Sequence, residues 1–198
     1  MHAYLAGLGT GLSLIVAIGA QNAFVLKQGL MRRHVLATVA FCALSDAVLI
    51  VAGVLGAGAI AARAPCFLET MRWGGAAFLL AYGARSLRAA WRGGAVLRAG
   101  EGATSLGATL AVLAALTWLN PHVWLDTVVL LGGVSAGFGD RGAFALGAVT
   151  GSVLFFAALG YGARWLSPVF ARPGAWRVLD LCVGLVMWTI ALGLVLRG

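Results

Sequence analysis

The stretch Thr117-Trp118-Leu119-Asn120-Pro121-His122-Val123-Trp124-Leu125-Asp126-Thr127 decides the fold. It lies within residues 102–139, a run whose one charged residue is Asp126. A helix crossing the roughly 30 Å hydrocarbon core of a bilayer needs about 20 predominantly apolar residues, and this run exceeds that. Yet Asn120-Pro121 interrupts it: proline has no backbone donor, and it disfavours helix at the residue before it. Carbonyls freed by such a break cannot face lipid, so side chains, water or a ligand must meet them. Polar breaks at membrane depth are a feature of secondary carriers, which bind substrate at unwound helix ends.

The rest of the chain agrees with a membrane setting. Its 198 residues are 62% hydrophobic and 10% charged, with a mean hydropathy of +0.98. Soluble domains are about 45–50% apolar and about 25% charged. A soluble enzyme, a disordered chain and a coiled coil are thereby excluded, leaving one all-α integral membrane domain over residues 1–198. The net charge is +8. The arginines sit between apolar runs instead of forming one basic segment, which fits loops at an anionic leaflet better than nucleic-acid binding. Lys27 is the one lysine among 14 cations. Cys42, Cys66 and Cys182 have no paired spacing, so neither a disulfide framework nor a metal site is expected.

Six spans are predicted, at roughly 4–26, 35–61, 68–88, 107–135, 142–163 and 176–196. Glu69, Arg72, Arg85 and Arg88 trim the third and make it the weakest. The first run lacks a basic leader and is too long for a signal peptide, so it reads as a span. Ten Lys/Arg fall on the odd-numbered loops and four on the other side. The positive-inside rule then places the odd loops in the cytoplasm and both termini outside.

The first span carries its own polar interruption, Gly19-Ala20-Gln21-Asn22. Aligning Asn22 with Asn120 gives an offset of 98 residues, close to half the chain. Each motif then opens a set of three helices. Three is odd, so the second half is inverted in the membrane, a 3+3 inverted repeat with half-repeats of about 1–95 and 100–198 and broken first and fourth helices. Gly19 and Pro121 mark the breaks. Gln21, Asn22 and Asn120 supply amides, and His122 beside Pro121 could relay protons. Gly56-Ala57-Gly58, Gly160-Tyr161-Gly162, Gly147 and Gly151 suggest close helix packing. Trp118, Trp124 and Trp188 are belt or core residues.

Asp46 and Asp126 are central in the second and fourth spans. An ionised carboxylate at the bilayer centre costs about 2.5–3.5 kcal/mol on insertion scales, and no cation lies within one turn of either in sequence. Each must be protonated, hydrated in a cavity, or paired with something from another helix or from solution. That suits groups that exchange a proton for a cationic substrate. Asp180 lies three residues after Arg177, and an interfacial ion pair between the two accounts for it.

Gly11 to Gly29, Cys42-Ala43-Leu44-Ser45-Asp46, Leu119 to Val129, and Gly184 to Leu192 together resemble the lysine/arginine exporter family of bacteria, the LysE/ArgO type, nearest its arginine-exporting branch. The resemblance covers nearly the whole chain. It implies a six-segment inner-membrane carrier that exports basic amino acids, arginine first and lysine or analogues next, by proton exchange or under the membrane potential. Its partners would be the basic amino acid, protons and the lipid bilayer, with no nucleic acid, cofactor, metal or enzymatic chemistry, and with a homo-oligomer left open. Asp46 and Asp126 would bind the substrate cation and the proton, and the amides of Gln21, Asn22 and Asn120 the substrate's amino and carboxylate groups.

Three other classes compete. The first is a carrier of metal cations or neutral solutes: acidic repeats on the first and fourth helices would favour a metal, whereas here those helices carry amides at the break and Asp126 alone is acidic. A redox protein would need cysteines there. A structural subunit would leave Asp46 and Asp126 unexplained. No phosphate loop, dinucleotide fingerprint, metal motif or nucleophile elbow is present.

Overall fold

The computed structural model describes residues 1–16, 19–57, 65–91, 105–166, 168–171 and 173–196. Arg63, Arg92, Arg98, Arg172, Arg197 and Gly58 lie outside them, as does the junction between the proposed half-repeats. All regular structure among the described residues is helical. In chain order the helices are α1 (His2–Ile15), α2 (Ala20–Met31), α3 (Val35–Ala52), α4 (Pro65–Trp91), α5 (Leu106–Trp118), α6 (Pro121–Trp124), α7 (Leu131–Ser135), α8 (Arg141–Gly162) and α9 (Pro173–Leu196). A π-helical segment, Leu125–Leu130, joins α6 to α7.

Both sequence breaks are bends. The axes of α1 and α2 differ by 85°, and those of α5 and Pro121–Ser135 by 61°. Val35–Gly56, Arg141–Leu166 and Gly174–Leu196 are long and apolar enough to cross a membrane singly. Counting each bent pair as one span gives five. The 27-residue α4 does not qualify, because Glu69, Arg72, Arg85 and Arg88 break up its apolar surface. It is nonetheless a continuous helix packed along α9.

Side chains that are apolar all round leave helix association to close packing of small residues. α1 lies on α8 in this way. A Cβ on Gly11 would come within 3.0 Å of the Ala148 Cα, and one on Gly151 within 3.2 Å of Leu12 Cγ. Gly53 meets Gly132 where α3 crosses α7, with a virtual Cβ on Gly132 at 3.0 Å from the Gly53 Cα. Gly83 and Gly184 meet where α4 crosses α9, at 3.1–3.2 Å. Gly147 and Gly160 also sit at such contacts, whereas Gly162 faces open space. Gly56 serves differently: its φ of 96° ends the α3 helical run, a backbone state that a Cβ disfavours. Gly11→Val should therefore overpack the α1–α8 contact at a cost of about 1–3 kcal/mol, because backbone cannot yield. The check is a lowered melting temperature of the detergent-purified protein. An unchanged value would show that α1 does not depend on this contact.

The core gathers Phe24, Val25, Cys42, Leu113, Phe156 and Met187, all buried, from α2, α3, α5, α8 and α9. The fold thus wraps both bends inside the bundle. Trp118 and Trp124 stack edge to face at 5.9 Å beside the second bend. Trp188, 38% exposed, donates its indole N–H to the Leu80 carbonyl on α4 at 3.2 Å.

One expected pairing is overturned. Asp180 does not bridge to Arg177. It is buried on α9 and takes Lys27 of α2 as its ion partner, while Arg177 Nε donates to the Ala90 carbonyl at 3.2 Å. The i,i+3 spacing made the Arg177 pair possible, but α9 turns Asp180 inward toward α2. Lys27, the chain's one lysine, is thereby a long-range partner that sequence spacing cannot reveal.

Candidate functional site

The two bends leave helix ends that must be satisfied, and the structure resolves which groups do so. At the first, Asn22 Nδ2 donates to the carbonyl of Ile15, the last residue of α1, at 2.7 Å. At the second, the Trp124 indole donates to the carbonyl of Trp118, the last residue of α5, at 3.1 Å. Asn120 caps α6 instead: its Oδ1 accepts the His122 backbone N–H at 3.1 Å, with Pro121 at the first helical position. This is where proline is tolerated, since its missing N–H would be unsatisfied in any case. Gly19, extended at φ −108° and ψ 170°, precedes α2 with no side-chain cap. No side chain among the described residues caps the first turn of α2, whose leading N–H groups have no acceptor within the helix.

Around these ends lies a cavity of about 230 Å³. Gly19, Gln21 and Asn22 line it from the first bend, Asn120, His122 and Asp126 from the second, and Asp46 from α3. Seven of the eight residues singled out in the sequence therefore meet at one place. The eighth, Pro121, is buried behind the break and faces a neighbouring cavity. A larger groove of about 700 Å³ between α3 and α8 is lined by apolar residues and Arg141, and none of these groups reaches it.

The two carboxylates differ in setting. Asp46 is 5% exposed and accepts a hydrogen bond from Ser152 Oγ of α8 at 2.7 Å. The neighbouring Ser45 Oγ accepts the Trp118 indole at 3.3 Å, tying α3 to the second bend. Asp126 lies in the π-helical segment and is exposed, one turn beyond His122, at the edge of the cavity. Asp46 is thus the inner acid and Asp126 the outer one. Gln21 is buried, and its Nε2 has no partner among the described residues. A buried unsatisfied donor costs about 1–3 kcal/mol, so this one invites an acceptor.

Sequence reasoning missed Ser152, Thr127, Phe156 and Ile190, all close to these groups. Ser152 had a signal, as a small polar residue inside an otherwise apolar run. Phe156 and Ile190 had none, since an apolar wall of a cavity looks like any other membrane residue.

Two broken helices, a cavity between them, and carboxylates reaching in from α3 and from the second broken helix define a polytopic membrane carrier, not an enzyme. The comparisons place it further. The chain belongs to the LysE type translocator family, whose model matches residues 12–198. It is 46% identical over 198 residues to the arginine exporter protein ArgO of Yersinia enterocolitica, covering 98% of this chain and 97% of that protein. It is 43% identical to the arginine exporter protein ArgO of Pectobacterium carotovorum, again over 198 residues and with the same coverage. No solved structure matches the chain.

Proposed function

We propose that this protein exports L-arginine, with L-lysine and analogues as weaker substrates, across the bacterial inner membrane in exchange for protons. The observation that carries the reading is the shared cavity: Asp46 and Asp126 line a single space that Gln21 also lines, its amide donor having no partner among the described residues. A guanidinium pairs with carboxylates in a bidentate fork, which an ammonium does not match. The substrate's side chain would lie toward Asp46. Its α-carboxylate would take the Gln21 amide and the first-turn N–H groups of α2, an anion-friendly helix start. His122, beside Asp126, would carry the proton between the outer acid and solvent.

A carboxylate removed from water, as Asp46 is, is relieved by either a proton or a substrate cation. Exchange follows: a proton occupies the site on the return, and arginine displaces it on the way out. The energetics suit export. Moving one positive charge outward against an inside-negative potential costs about 2.3 kcal/mol per 100 mV, and a proton moving inward cancels it.

We also propose that α4 completes a sixth crossing and that the halves form a 3+3 inverted repeat. Each half runs bent helix, straight helix, straight helix in the same order. The contacts exchange as a pseudo-two-fold axis demands. The first bent pair packs on α8 in the second half, the second bent pair packs on α3 in the first half, and α4 packs on α9. A homo-oligomer remains compatible with this arrangement.

The test is counterflow in proteoliposomes with labelled arginine, lysine and a neutral amino acid, with and without a pH gradient. Arginine should exchange fastest, lysine more slowly and the neutral solute not at all, with an inward-acid gradient changing the arginine rate. Equal exchange of the neutral amino acid would replace this reading with a neutral amino-acid carrier.

A further inference from the structure

A second cavity, of about 190 Å³, adjoins the first and is lined by Glu69, Arg72, Pro121, His122, Gly193 and Leu194, among others. His122 lines both cavities and so links them. We propose that this outer chamber is a second station for the substrate, one that holds the ammonium and carboxylate of its α-amino-acid head group as it passes the membrane face where α4 begins and α9 ends. The proposal rests on the carrier function put forward above and adds a site to it.

The chemistry of the chamber supports that ligand class. Glu69 Oε2 and Arg72 Nη1 stand 3.3 Å apart, one opposite charge for each end of a zwitterion. Trp73 braces the pair, its indole donating to Glu69 Oε1 at 2.9 Å while the Arg72 guanidinium lies over its ring at 5.1 Å. Arg72 Nε is buried and has no partner among the described residues. An idle guanidinium donor is an unfilled place for a carboxylate, which the fork geometry of arginine favours. These same charges keep α4 from reading as an apolar span, and ionisable groups held at a membrane segment mark substrate paths. Arg72 here serves the head group, whereas Asp46 serves the side chain. An amino acid moving through would therefore be handed over with its head group leading.

A zwitterionic lipid headgroup shares the ammonium-and-anion chemistry, and the experiment separates the two sources. Gly193 has open space beyond its Cα, so Gly193→Cys introduces a thiol into the chamber without a clash. On a background in which Cys66 and Cys182 are replaced by serine, the protein in vesicles is labelled with a methanethiosulfonate reagent. L-Arginine should slow labelling, and agmatine, which lacks the α-carboxylate, should not. Arg72→Gln should weaken this protection about tenfold, the loss expected for a charge-assisted hydrogen bond. Glu69→Gln should weaken it as well, and serves if the Arg72 variant does not fold. Asp46→Asn, which empties the central site, should leave protection in place. Protection that vanishes in Asp46→Asn reports closure triggered from the central cavity and overturns the second station. So does protection by agmatine equal to that by arginine. Slow labelling in phosphatidylethanolamine vesicles that arginine does not alter assigns the chamber to lipid and overturns it too. Arginine counterflow on the unsubstituted protein separates the two readings: its absence defeats the carrier function itself, whereas normal counterflow without protection defeats the chamber alone.

Discussion

Asp46→Asn should abolish arginine efflux while the protein still reaches the membrane. Asp46 is the inner acid, held by Ser152 and removed from solvent, so no water stands in for its charge. Removing one partner of a buried charge pair typically costs about 3–5 kcal/mol, or about 10²–10⁴ in an equilibrium. Asp126→Asn should also lower export strongly but incompletely, because its exposed position lets water and ions substitute in part. Ser152→Ala should lower efflux about tenfold, the scale of one hydrogen bond to a charged group. The measurement is efflux of preloaded labelled arginine, normalised to membrane-inserted protein. Near-normal efflux in Asp46→Asn would remove that residue from the mechanism. Near-normal efflux in both aspartate variants would leave carboxylate exchange without support.

The second large effect belongs to a pair outside the cavity. Lys27 and Asp180 are buried against each other, with side chains 15% and 3% exposed, and they join α2 to α9. Lys27→Met alone leaves a carboxylate in the bundle, and Asp180→Leu alone leaves an ammonium. Each should cost about 3–5 kcal/mol of stability. The double variant Lys27→Met with Asp180→Leu leaves no orphan charge and should recover most of the loss, since apolar replacements of buried pairs are often neutral. Thermal unfolding in detergent, followed by size-exclusion recovery, reads all three. Single variants as stable as the parent would mean that the pair is hydrated and carries no structural weight. This expectation replaces the modest effect that an Arg177 partner for Asp180 would have implied.

How far the sequence reached depends on the length scale of each feature. Apolar run lengths report on single helices, so three straight spans and two broken ones were legible. The bends were legible as well, because Asn120-Pro121 and Gly19-Ala20-Gln21-Asn22 act on their own backbone. The weak third segment was legible as weak, since four charged side chains within it are counted without any fold. The acids were legible because a carboxylate inside an apolar run is conspicuous whatever surrounds it.

Pairings across helices were out of reach. Asp180 has Arg177 as a near neighbour in sequence, and only the rotation of α9 decides that it meets Lys27 of α2. Ser152 and Asp46 lie 106 residues apart, and no spacing rule links them. The division of labour among the amides was hidden for the same reason. Asn22 and Asn120 both help to satisfy the breaks, whereas the Gln21 amide donor has no partner among the described residues.

By itself, the sequence determined that this is an all-helical membrane protein with two interrupted helices and with Asp46 and Asp126 set inside apolar runs, because hydropathy, proline and charge act locally along the chain. Only the tertiary structure decided that both breaks and both acids open on one cavity, that Asp46 is the inner acid and Asp126 the outer, and that Lys27 answers Asp180. Those outcomes depend on how close glycine contacts let the helices approach and rotate. That is a property of pairs of surfaces, and no single segment carries it.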